Sequence, residues 1–340
     1  VATACPSTAL AYFFHSSAVS RGLLAVEAAD AGLFSDPRDE AAVRSFGRKI
    51  LSRMGSGHYM ANFGSETVKS SKGAVAISTE AKRVEGGYLL NGVKSFGCNT
   101  GVADWYVVTA KLEGAETAEG IVTFMVERES KGLSERHRWN AIGMRATATH
   151  GIILEDVFVP DDESLVVPAA FLKMMEMSRG SMVGNQLAGI ACYLGAAQAT
   201  YDYALKFLME TKFRDTGAPL ATSPLHQQLI GQMSADLETA YLWLRRQLEL
   251  ETSEPALLPK SEVVAQWRRC KGEVTEACFR VGQGALKACG TTNTADDGPS
   301  ARAIRNLSMG LVQAFPAERG RLEVAKTIVE GQGTTTFTPN

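Results

Sequence analysis

Thiol and imidazole side chains are the first candidates for chemistry in this chain, because they are the usual ligands of zinc. The cysteines are Cys5, Cys98, Cys192, Cys270, Cys278 and Cys289. No two of them form a Cys-x-x-Cys pair, and the five histidines show neither a His-x-x-x-His spacing nor a zinc-site spacing to a cysteine. The pattern predicts no metal centre, and six reduced thiols favour a cytoplasmic location.

The composition is that of an ordinary globular protein. The chain has 340 residues, of which 45% are hydrophobic and 21% are charged, enough for about two or three domains. A net charge of -2 and a pI of about 6.3 give no reason to expect a nucleic-acid partner. No run approaches the roughly 18 apolar residues that span a bilayer. The chain starts at Val1 inside what resembles the middle of a helical region, so we expect further sequence upstream.

The elements that must position any site fall into three regions, and the first of these has helical periodicity. Its apolar residues at helical spacing are Ala9, Leu10, Phe13, Phe14, Val43, Phe46, Ile50 and Leu51. The stretch 35–39 interrupts them and predicts a loop with a helix start after it. We assign residues 1–61 to an amino-terminal helical segment.

The second region, residues 62–168, has strand character. Asn91-Gly92, between apolar runs, predicts a hairpin over 87–96 with a type I′ turn. Further strands are predicted at 105–110, 121–126 and 151–159, the last one ended by Pro160. Because no helical pattern separates these strands, they favour an antiparallel barrel or sandwich over a βαβ nucleotide fold. No glycine-rich phosphate loop follows any of them.

The third region, residues 169–340, is helical again. Leu187, Leu194, Tyr201 and Leu208 repeat every seven residues, and three more helical stripes follow, the last within 304–329. Breaks are expected at 215–224, 253–260 and 290–299. The pattern predicts an up-and-down four-helix bundle, which makes the whole chain an α+β protein.

Several local sequences resemble the acyl-CoA dehydrogenase family. In the second region they are 86–96, 103–108, 142–149 and 154–160; in the third they are 193–198 and 217–220. The resemblance covers nearly the whole chain. It implies FAD, an acyl-CoA thioester substrate, an electron-transfer flavoprotein or similar acceptor, and a homotetramer or homodimer. It also implies that the flavin lies between the β-domain and the bundle, with its pyrophosphate reaching a neighbouring subunit.

The resemblance implies cofactor contacts in the second region. Phe96-Gly97-Cys98 falls where the family has an aromatic residue and a hydroxyl residue lining the flavin, with Cys98 in place of the hydroxyl. Ser65-Glu66 resembles the end of the family's glycine–serine–aspartate turn near cofactor and substrate, with Glu66 as the acid.

In the third region the resemblance implies contacts to the FAD pyrophosphate. Arg214 lies within one residue of the family's arginine at this place, and a guanidinium binds phosphate bidentately. Lys287 and Gly290 fall in the family's Gln-x-x-Gly-Gly turn. Arg305-Asn306 resembles the Arg-Asp pair that precedes the family's last catalytic segment.

The catalytic base is where the sequence departs from the family. The position of the usual glutamate is Ala314, and the alternative position on the first bundle helix, within 184–186, has no carboxylate either. Glu318 is the nearest candidate, although its register matches a later glutamate of the family. Glu66 and Glu176 are further candidates.

Three functions remain open. The favoured one is α,β-dehydrogenation of an acyl-CoA, with a displaced base and hydride transfer to flavin N5. The second is a flavin-dependent monooxygenase of the same fold, which needs no glutamate at that position. The third is a non-catalytic partner subunit of a heteromeric dehydrogenase.

Overall fold

A computed structural model describes residues 1–66, 77–136, 139–179, 186–313 and 315–330. Two helices open the chain, α1 (Pro6–Asp30) and α2 (Pro37–Gly55). Asp36 caps α2: its carboxylate accepts the backbone N–H of Arg38 at 2.8 Å, and Pro37 occupies the first helical position. The predicted helix is present, but it starts at Pro37, inside the stretch 35–39 that was predicted as a loop, and not after it.

Eight strands follow within the described residues and form one sheet. They are β1 (Met60–Phe63), β2 (Glu80–Val84), β3 (Gly87–Gly97), β4 (Trp105–Leu112), β5 (Ile121–Glu127), β6 (Leu133–Glu135), β7 (His150–Pro160) and β8 (Ser164–Leu165). Their order is β6-β7-β3-β2-β4-β5-β8, with β1 beside β4. Three of the predicted strands are therefore confirmed as β4, β5 and β7.

The predicted antiparallel barrel or sandwich is confirmed only in part, because the sheet also contains parallel pairs. β1 and β2 both pair with β4 in parallel, at Met60↔Trp105 and Glu80↔Lys111, while the other pairs of the sheet are antiparallel. The β2–β3 hairpin separates β1 from β4 in the chain, and a long connection of this kind permits parallel pairing. Period-2 alternation carries no information about strand direction, which is why the sequence did not show it.

The predicted hairpin at Asn91-Gly92 is wrong, because β3 runs unbroken through both residues. The turn lies earlier, at residues 85–86, and joins β2 to β3. Asn91 exchanges two hydrogen bonds of 2.9 Å with Asp156 of β7, and Gly92 lies at a register shift between β3 and β7. A Cβ on Gly92, whose φ is 152°, would come 2.6 Å from Thr79 Oγ1. The glycine therefore serves a close approach inside a bulge, not a turn.

Helices return after the sheet. They are α3 (Ala170–Glu176), α4 (Gln186–Glu210), α5 (Pro224–Thr252), α6 (Lys260–Cys289), α7 (Pro299–Ser308) and α8 (Ala317–Val329). The three predicted breaks coincide with the gaps after α4, α5 and α6, whereas the last stripe is divided between α7 and α8. None of the helices in the described ranges combines the length and the apolar character that crossing a membrane requires.

The largest apolar core joins the amino-terminal and carboxy-terminal helices. Leu10 and Phe13 of α1 pack with Tyr193 of α4 and Trp267 of α6 in one buried cluster. Met144, from the loop between β6 and β7, belongs to the same cluster, and its backbone N–H donates to Asn306 Oδ1 of α7 at 2.8 Å. The amino-terminal helices, the sheet and the carboxy-terminal helices thus meet at this cluster, and a cavity lies beside it.

Candidate active site

A cavity of about 590 Å³ lies where α1, the sheet and the carboxy-terminal helices meet. α1 contributes one wall, and the end of β3 with the loop before β7 contributes a second. α4, α6 and the segment after α7 close the third side. The volume is typical of a site for a cofactor or a drug-sized ligand.

Phe96 presents an aromatic ring to this cavity. The residue is 59% exposed, its φ is 57°, and it lies at a register shift between Ser95 and Gly97. The ring meets Trp139 edge to face, with 6.4 Å between centroids. Gly97 is buried behind it, where a Cβ would come 2.0 Å from Phe63 Cε1. The left-handed backbone costs free energy at a phenylalanine and turns its ring toward the cavity.

Cys98 opens a chain of hydrogen bonds along the same wall. Its Sγ lies 2.8 Å from Thr149 Oγ1, which lies 2.6 Å from Thr147 Oγ1. Thr147 donates in turn to the Met144 carbonyl oxygen at 2.8 Å. Burial raises the pKa of Cys98 to about 12, so this thiol is protonated and acts as a weak hydrogen-bonding group. Both threonines fall in the block 142–149 that carries the resemblance, but the sequence analysis predicted no cofactor contact for them.

Glu66 is held inside the sheet by charge and hydrogen bonds. Its Oε1 accepts from Lys94 Nζ at 2.6 Å and from the Thr79 hydroxyl at 2.7 Å, and its Oε2 accepts from the Ser78 N–H at 2.7 Å. Burial alone would raise the pKa of Glu66, but Lys94 and Ser78 outweigh it and lower the pKa to about 2. A carboxylate with this pKa is a poor proton acceptor at neutral pH. Neighbouring Ser65 is exposed and lines the cavity, and its carbonyl accepts the Ser95 N–H at 2.9 Å.

Lys271 of α6 is a buried cation on the opposite wall. Its Nζ donates to the Gly310 carbonyl at 2.9 Å and to the Phe315 carbonyl, so it clamps the segment that follows α7. Burial lowers the pKa of Lys271 to about 8. One turn away, Trp267 is 2% exposed, and its indole N–H has no acceptor among the described residues. Trp267 belongs to the apolar stripe that predicted α6, whereas Lys271 was not predicted; a lysine in register with that stripe is the sequence signal that could have identified it.

Arg21 of α1 brings a second cation to the cavity. Its Nη1 donates to Thr109 Oγ1 of β4 at 3.1 Å, and no ion pair involves it in the part of the chain that the structure describes. Arg21 falls between Ala18 and Ala25, both fully buried, so a charged residue on a buried helix face was the overlooked sequence signal.

No aspartate or glutamate lines the cavity among the described residues. The residues outside the described ranges include neither type. Glu318, on the first turn of α8, and Glu176, at the end of α3, are exposed and do not line the cavity. Ala314 and the positions 184–185 lie outside the described residues, as does the Gln186 side chain. The structure thus brings no candidate carboxylate base to this cavity.

The three residues predicted at the pyrophosphate lie elsewhere. Arg214 is exposed in the turn between α4 and α5, where Lys212 pairs with Pro219. Lys287 and Gly290, at the end of α6, are exposed as well. None of them lines the cavity. All six cysteines are free, and no metal-binding group of histidine, cysteine or acidic side chains occurs among the described residues.

Comparison with known proteins shows that most of the segments lining the cavity match the domains of one family. Residues 62–157 match the acyl-CoA dehydrogenase middle domain, and residues 188–315 match the acyl-CoA dehydrogenase C-terminal domain. YdbM of Bacillus subtilis, a provisional acyl-CoA dehydrogenase, is 30% identical over 234 residues, which are 68% of this chain and 58% of that protein. The mitochondrial 2-methylacyl-CoA dehydrogenase of Solanum tuberosum is 25% identical over 84% of this chain and 66% of its own length. The chain therefore spans less than two thirds of these relatives.

Solved structures share the fold. Butyryl-CoA dehydrogenase from Megasphaera elsdenii superposes with a TM-score of 0.75 at 19% identity, over 96% of this chain and 79% of that one. FMN-bound TdsC from Paenibacillus sp. superposes with a TM-score of 0.78 at 19% identity, over 100% of this chain and 83% of that one. The cavity is built from the two matched domains together with α1, and the middle-domain match precedes the C-terminal-domain match along the chain. The chain belongs to the acyl-CoA dehydrogenase family.

Proposed function

We propose that this chain is an FAD-dependent oxidoreductase that acts on an acyl-CoA thioester. The observation that carries the proposal is the cavity itself, which lies between the sheet and the helices and receives the ring of Phe96. Both family domains contribute to it. Bound FAD would accept, at its N5, the hydride that α,β-dehydrogenation removes from the β-carbon of the thioester.

The residues around the cavity fit a flavin ring system, which has flat apolar faces and polar edges. Phe96 and Trp139 offer aromatic surface. The buried Trp267 N–H and the Asn62 Oδ1 atom lack hydrogen-bond partners among the described residues, so a polar ligand edge would satisfy them. The Cys98–Thr149–Thr147 chain adds hydroxyl groups on the sheet side.

The residues of the chain would do the positioning. Lys271 fixes the segment that follows α7 by holding two of its backbone carbonyls. The Lys94–Glu66 pair fixes the end of the strand that carries Phe96. Ser65 and the Cys98 chain would then present hydrogen-bonding groups from a rigid wall, which lowers the cost of ordering the ligand.

The adenine and pyrophosphate half of FAD is assigned to exposed residues. Arg214, Lys287 and Gly290 do not line the cavity, so their contribution would be made across a subunit boundary in a homodimer or homotetramer. This assignment agrees with their exposure and with the bidentate fit of arginine to phosphate. In the same proposal residues 1–61, 62–168 and 169–340 are the three domains. The four-helix bundle consists of α4, α5, α6 and a fourth member that is divided into α7 and α8.

A second candidate is a flavin-dependent monooxygenase of this fold. The observation that favours it is the cavity without a carboxylate, since α-proton abstraction needs a base near the thioester. Glu318 is the first candidate for the base in the first proposal, and it would have to reach substrate from the first turn of α8. Oxygen chemistry on a reduced flavin makes no such demand.

An anaerobic titration separates these functions. The purified protein is scanned for a flavin spectrum and titrated with a panel of acyl-CoA thioesters. Bleaching of the bound flavin supports dehydrogenation. A bound flavin that stays oxidised in the titration, together with an oxygenated product when reduced flavin and oxygen are supplied, supports the monooxygenase. Absence of flavin at saturating FAD would contradict both.

A further inference from the structure

No carboxylate of the described residues lines the cavity, so a proton acceptor there must be another kind of side chain. The titratable groups among the described residues that line it are Arg21, Cys98, Tyr193 and Lys271. A guanidinium stays protonated in proteins and offers no acceptor, which excludes Arg21 as a base. Burial raises the pKa of the Cys98 thiol to about 12 and also raises the pKa of the Tyr193 phenol. Both groups therefore keep their protons at neutral pH.

Lys271 differs from these groups, because burial moves its pKa toward neutrality. The residue is 1% exposed, and burial lowers the pKa of its amine to about 8. The charged groups of the described residues that act on it are Glu276, on the same helix, and Glu318, on the first turn of α8, and both oppose the effect of burial. A fraction of the amine is therefore neutral at neutral pH. A pKa close to the working pH is what an efficient general base requires.

The hydrogen bonds of Lys271 are compatible with its neutral form. Nζ donates to the Gly310 carbonyl at 2.9 Å and to the Phe315 carbonyl. An ammonium group has three N–H donors, whereas a neutral amine has two donors and one lone pair. Loss of a proton therefore costs neither of these hydrogen bonds. The lone pair takes the place of the third N–H, and the segment after α7 stays held in both states.

The amine lies at the wall of the cavity. Trp267, four residues before Lys271 and on the same side of α6, lines the cavity as well. The segment whose carbonyls Lys271 holds contributes further lining residues: Met309, Val312 and Gln313. The amine is thus enclosed between α6 and this segment and is removed from bulk water. Burial of this kind is how proteins prepare a lysine to act as a general base.

We propose that the Lys271 amine is the base that removes the α-proton of the thioester substrate. This inference rests on the proposed function and deepens it by assigning the base. The nitrogen lone pair takes the α-proton and becomes an ammonium, while the electrons of the C–H bond pass to the thioester carbonyl as an enolate. The β-hydrogen then leaves the enolate as hydride to N5 of FAD, which gives the α,β-unsaturated thioester. The ammonium returns its proton to solvent after product release.

The test follows the α-proton separately from the hydride. Ethylthioacetyl-CoA has sulfur in place of the β-carbon, so it has α-hydrogens but no β-hydrogen to lose as hydride. The flavin-loaded protein is incubated with it in heavy water at a series of pH values, and mass spectrometry measures the deuterium uptake. Calorimetry measures binding of the same thioester. We expect uptake that rises with pH and has its midpoint at about pH 8, where the Lys271 amine loses its proton.

Lys271→Arg separates proton abstraction from the support of the segment after α7. A guanidinium still donates to both carbonyls but does not give up its proton. We expect the rate of deuterium uptake to fall about 100-fold or more, as when a general base is removed, while the thioester still binds. Lys326→Met, exposed on α8, is the control and should leave the uptake unchanged. Uptake in Lys271→Arg at the rate of the natural protein would overturn the inference.

Glu318→Gln distinguishes the two candidate bases and leaves the buried lysine in place. Glu318 is exposed, and its charge raises the pKa of Lys271. Removing this charge should keep the deuterium uptake and move its midpoint to lower pH. Loss of uptake in Glu318→Gln, with binding of the thioester retained, would assign the base to Glu318 and overturn the inference.

The proposed function has outcomes of its own. If the natural protein binds neither ethylthioacetyl-CoA nor butyryl-CoA, the proposed function fails, and the inference fails with it. If butyryl-CoA bleaches the flavin of Lys271→Arg as fast as that of the natural protein, the proposed function stands and the inference is wrong. Deuterium uptake that depends on Lys271, without bleaching by any acyl-CoA, would support Lys271 as a base and contradict the dehydrogenation.

Discussion

Lys94 Nζ lies 2.6 Å from Glu66 Oε1, and the two side chains are 0% and 1% exposed. The pair joins the interior of β3 to the residue that follows Ser65, so it connects two segments of the cavity wall. A buried pair of this kind adds little net stability over an apolar pair, but removing one partner leaves an uncompensated buried charge.

We expect Glu66→Gln to destabilise the protein by about 3–5 kcal/mol, because Lys94 is left buried without a counter-charge. Chemical denaturation measures the change. Glu113→Gln is the matched control, since Glu113 pairs with Lys82 at 4.0 Å on the surface, where both side chains are more than half exposed. Equal effects of the two substitutions would contradict the assignment of Glu66 to a buried pair.

The same pair predicts a pH dependence. The pKa of Glu66 falls from its ordinary value of 4.5 to about 2 in the folded protein. Its contribution to stability is therefore fully present above about pH 4.5 and is lost as the pH falls through about 2. Acid denaturation followed by circular dichroism should show a weaker dependence in this window for Glu66→Gln. If the acid denaturation curve of Glu66→Gln has the same pH dependence as that of the natural protein, Glu66 does not have the lowered pKa.

Lys271 gives a further prediction, which concerns the segment after α7. Lys271→Met keeps the length of the side chain but leaves the Gly310 and Phe315 carbonyls without their donor, at about 1–3 kcal/mol for each unsatisfied group. We expect a lower melting temperature and weaker flavin binding. Lys326→Met, exposed on α8, is the control. A variant that loses stability but keeps full flavin affinity would show that the segment after α7 does not affect flavin binding.

Phe96 should show a conflict between stability and cofactor binding. Phe96→Gly relieves the positive φ of 57° and should hold or raise the melting temperature. It also removes the exposed ring, so flavin affinity should fall about three- to tenfold, the range of one aromatic contact. Phe96→Tyr keeps the ring and serves as the control. Flavin binding that is equally tight in both variants would remove Phe96 from the site.

Arg214 and Lys287 test the pyrophosphate proposal. Alanine at either position should reduce the FAD content that survives purification while the circular dichroism spectrum and melting temperature stay unchanged. The loss should grow with salt concentration, because exposed charge interactions are screened. Arg245→Ala, exposed on α5, is the control for a change of charge alone. Full FAD content in both variants would rule the assignment out.

Gly97 tests the packing behind Phe96. Gly97→Ala places a Cβ 2.0 Å from Phe63 Cε1, an overlap that both β3 and β1 would have to relieve. We expect a loss of about 1–3 kcal/mol in stability. Gly231→Ala is the control, since nothing lies within 4 Å of the added Cβ and the site is helical. A similar melting temperature for both variants would contradict the close packing.

The helical part of the fold was predictable because its signals are local. Pro37 after Asp36, and the polar stretches around 215–224 and 253–260, end or start helices through backbone and capping preferences of neighbouring residues. The family blocks are local as well, since each is a short run of residues. Phe96, Cys98 and Ser65 were found through such runs, and all three line the cavity.

The features of the fold that the sequence did not predict depend on contacts between residues far apart in the chain. Asn91-Gly92 has the composition of a turn, yet Asp156 and Thr79 decide that it is a bulge. The parallel pairing of β1 with β4 is likewise set by a connection and not by the residues of either strand. In these cases the residues of a strand do not determine which other segment the strand pairs with.

The sequence by itself determined the order of helical and strand regions, the family, and the lack of a glutamate at the family's base position. Only the tertiary structure showed that Glu66 forms a buried ion pair with Lys94. It also showed that Arg21 and Lys271 line one cavity, and that no carboxylate of the described residues lines it. The physical reason is that the cost of burying a charge depends on what surrounds it. Those surroundings come from α1, the sheet and α6 together, and none of these segments specifies them alone.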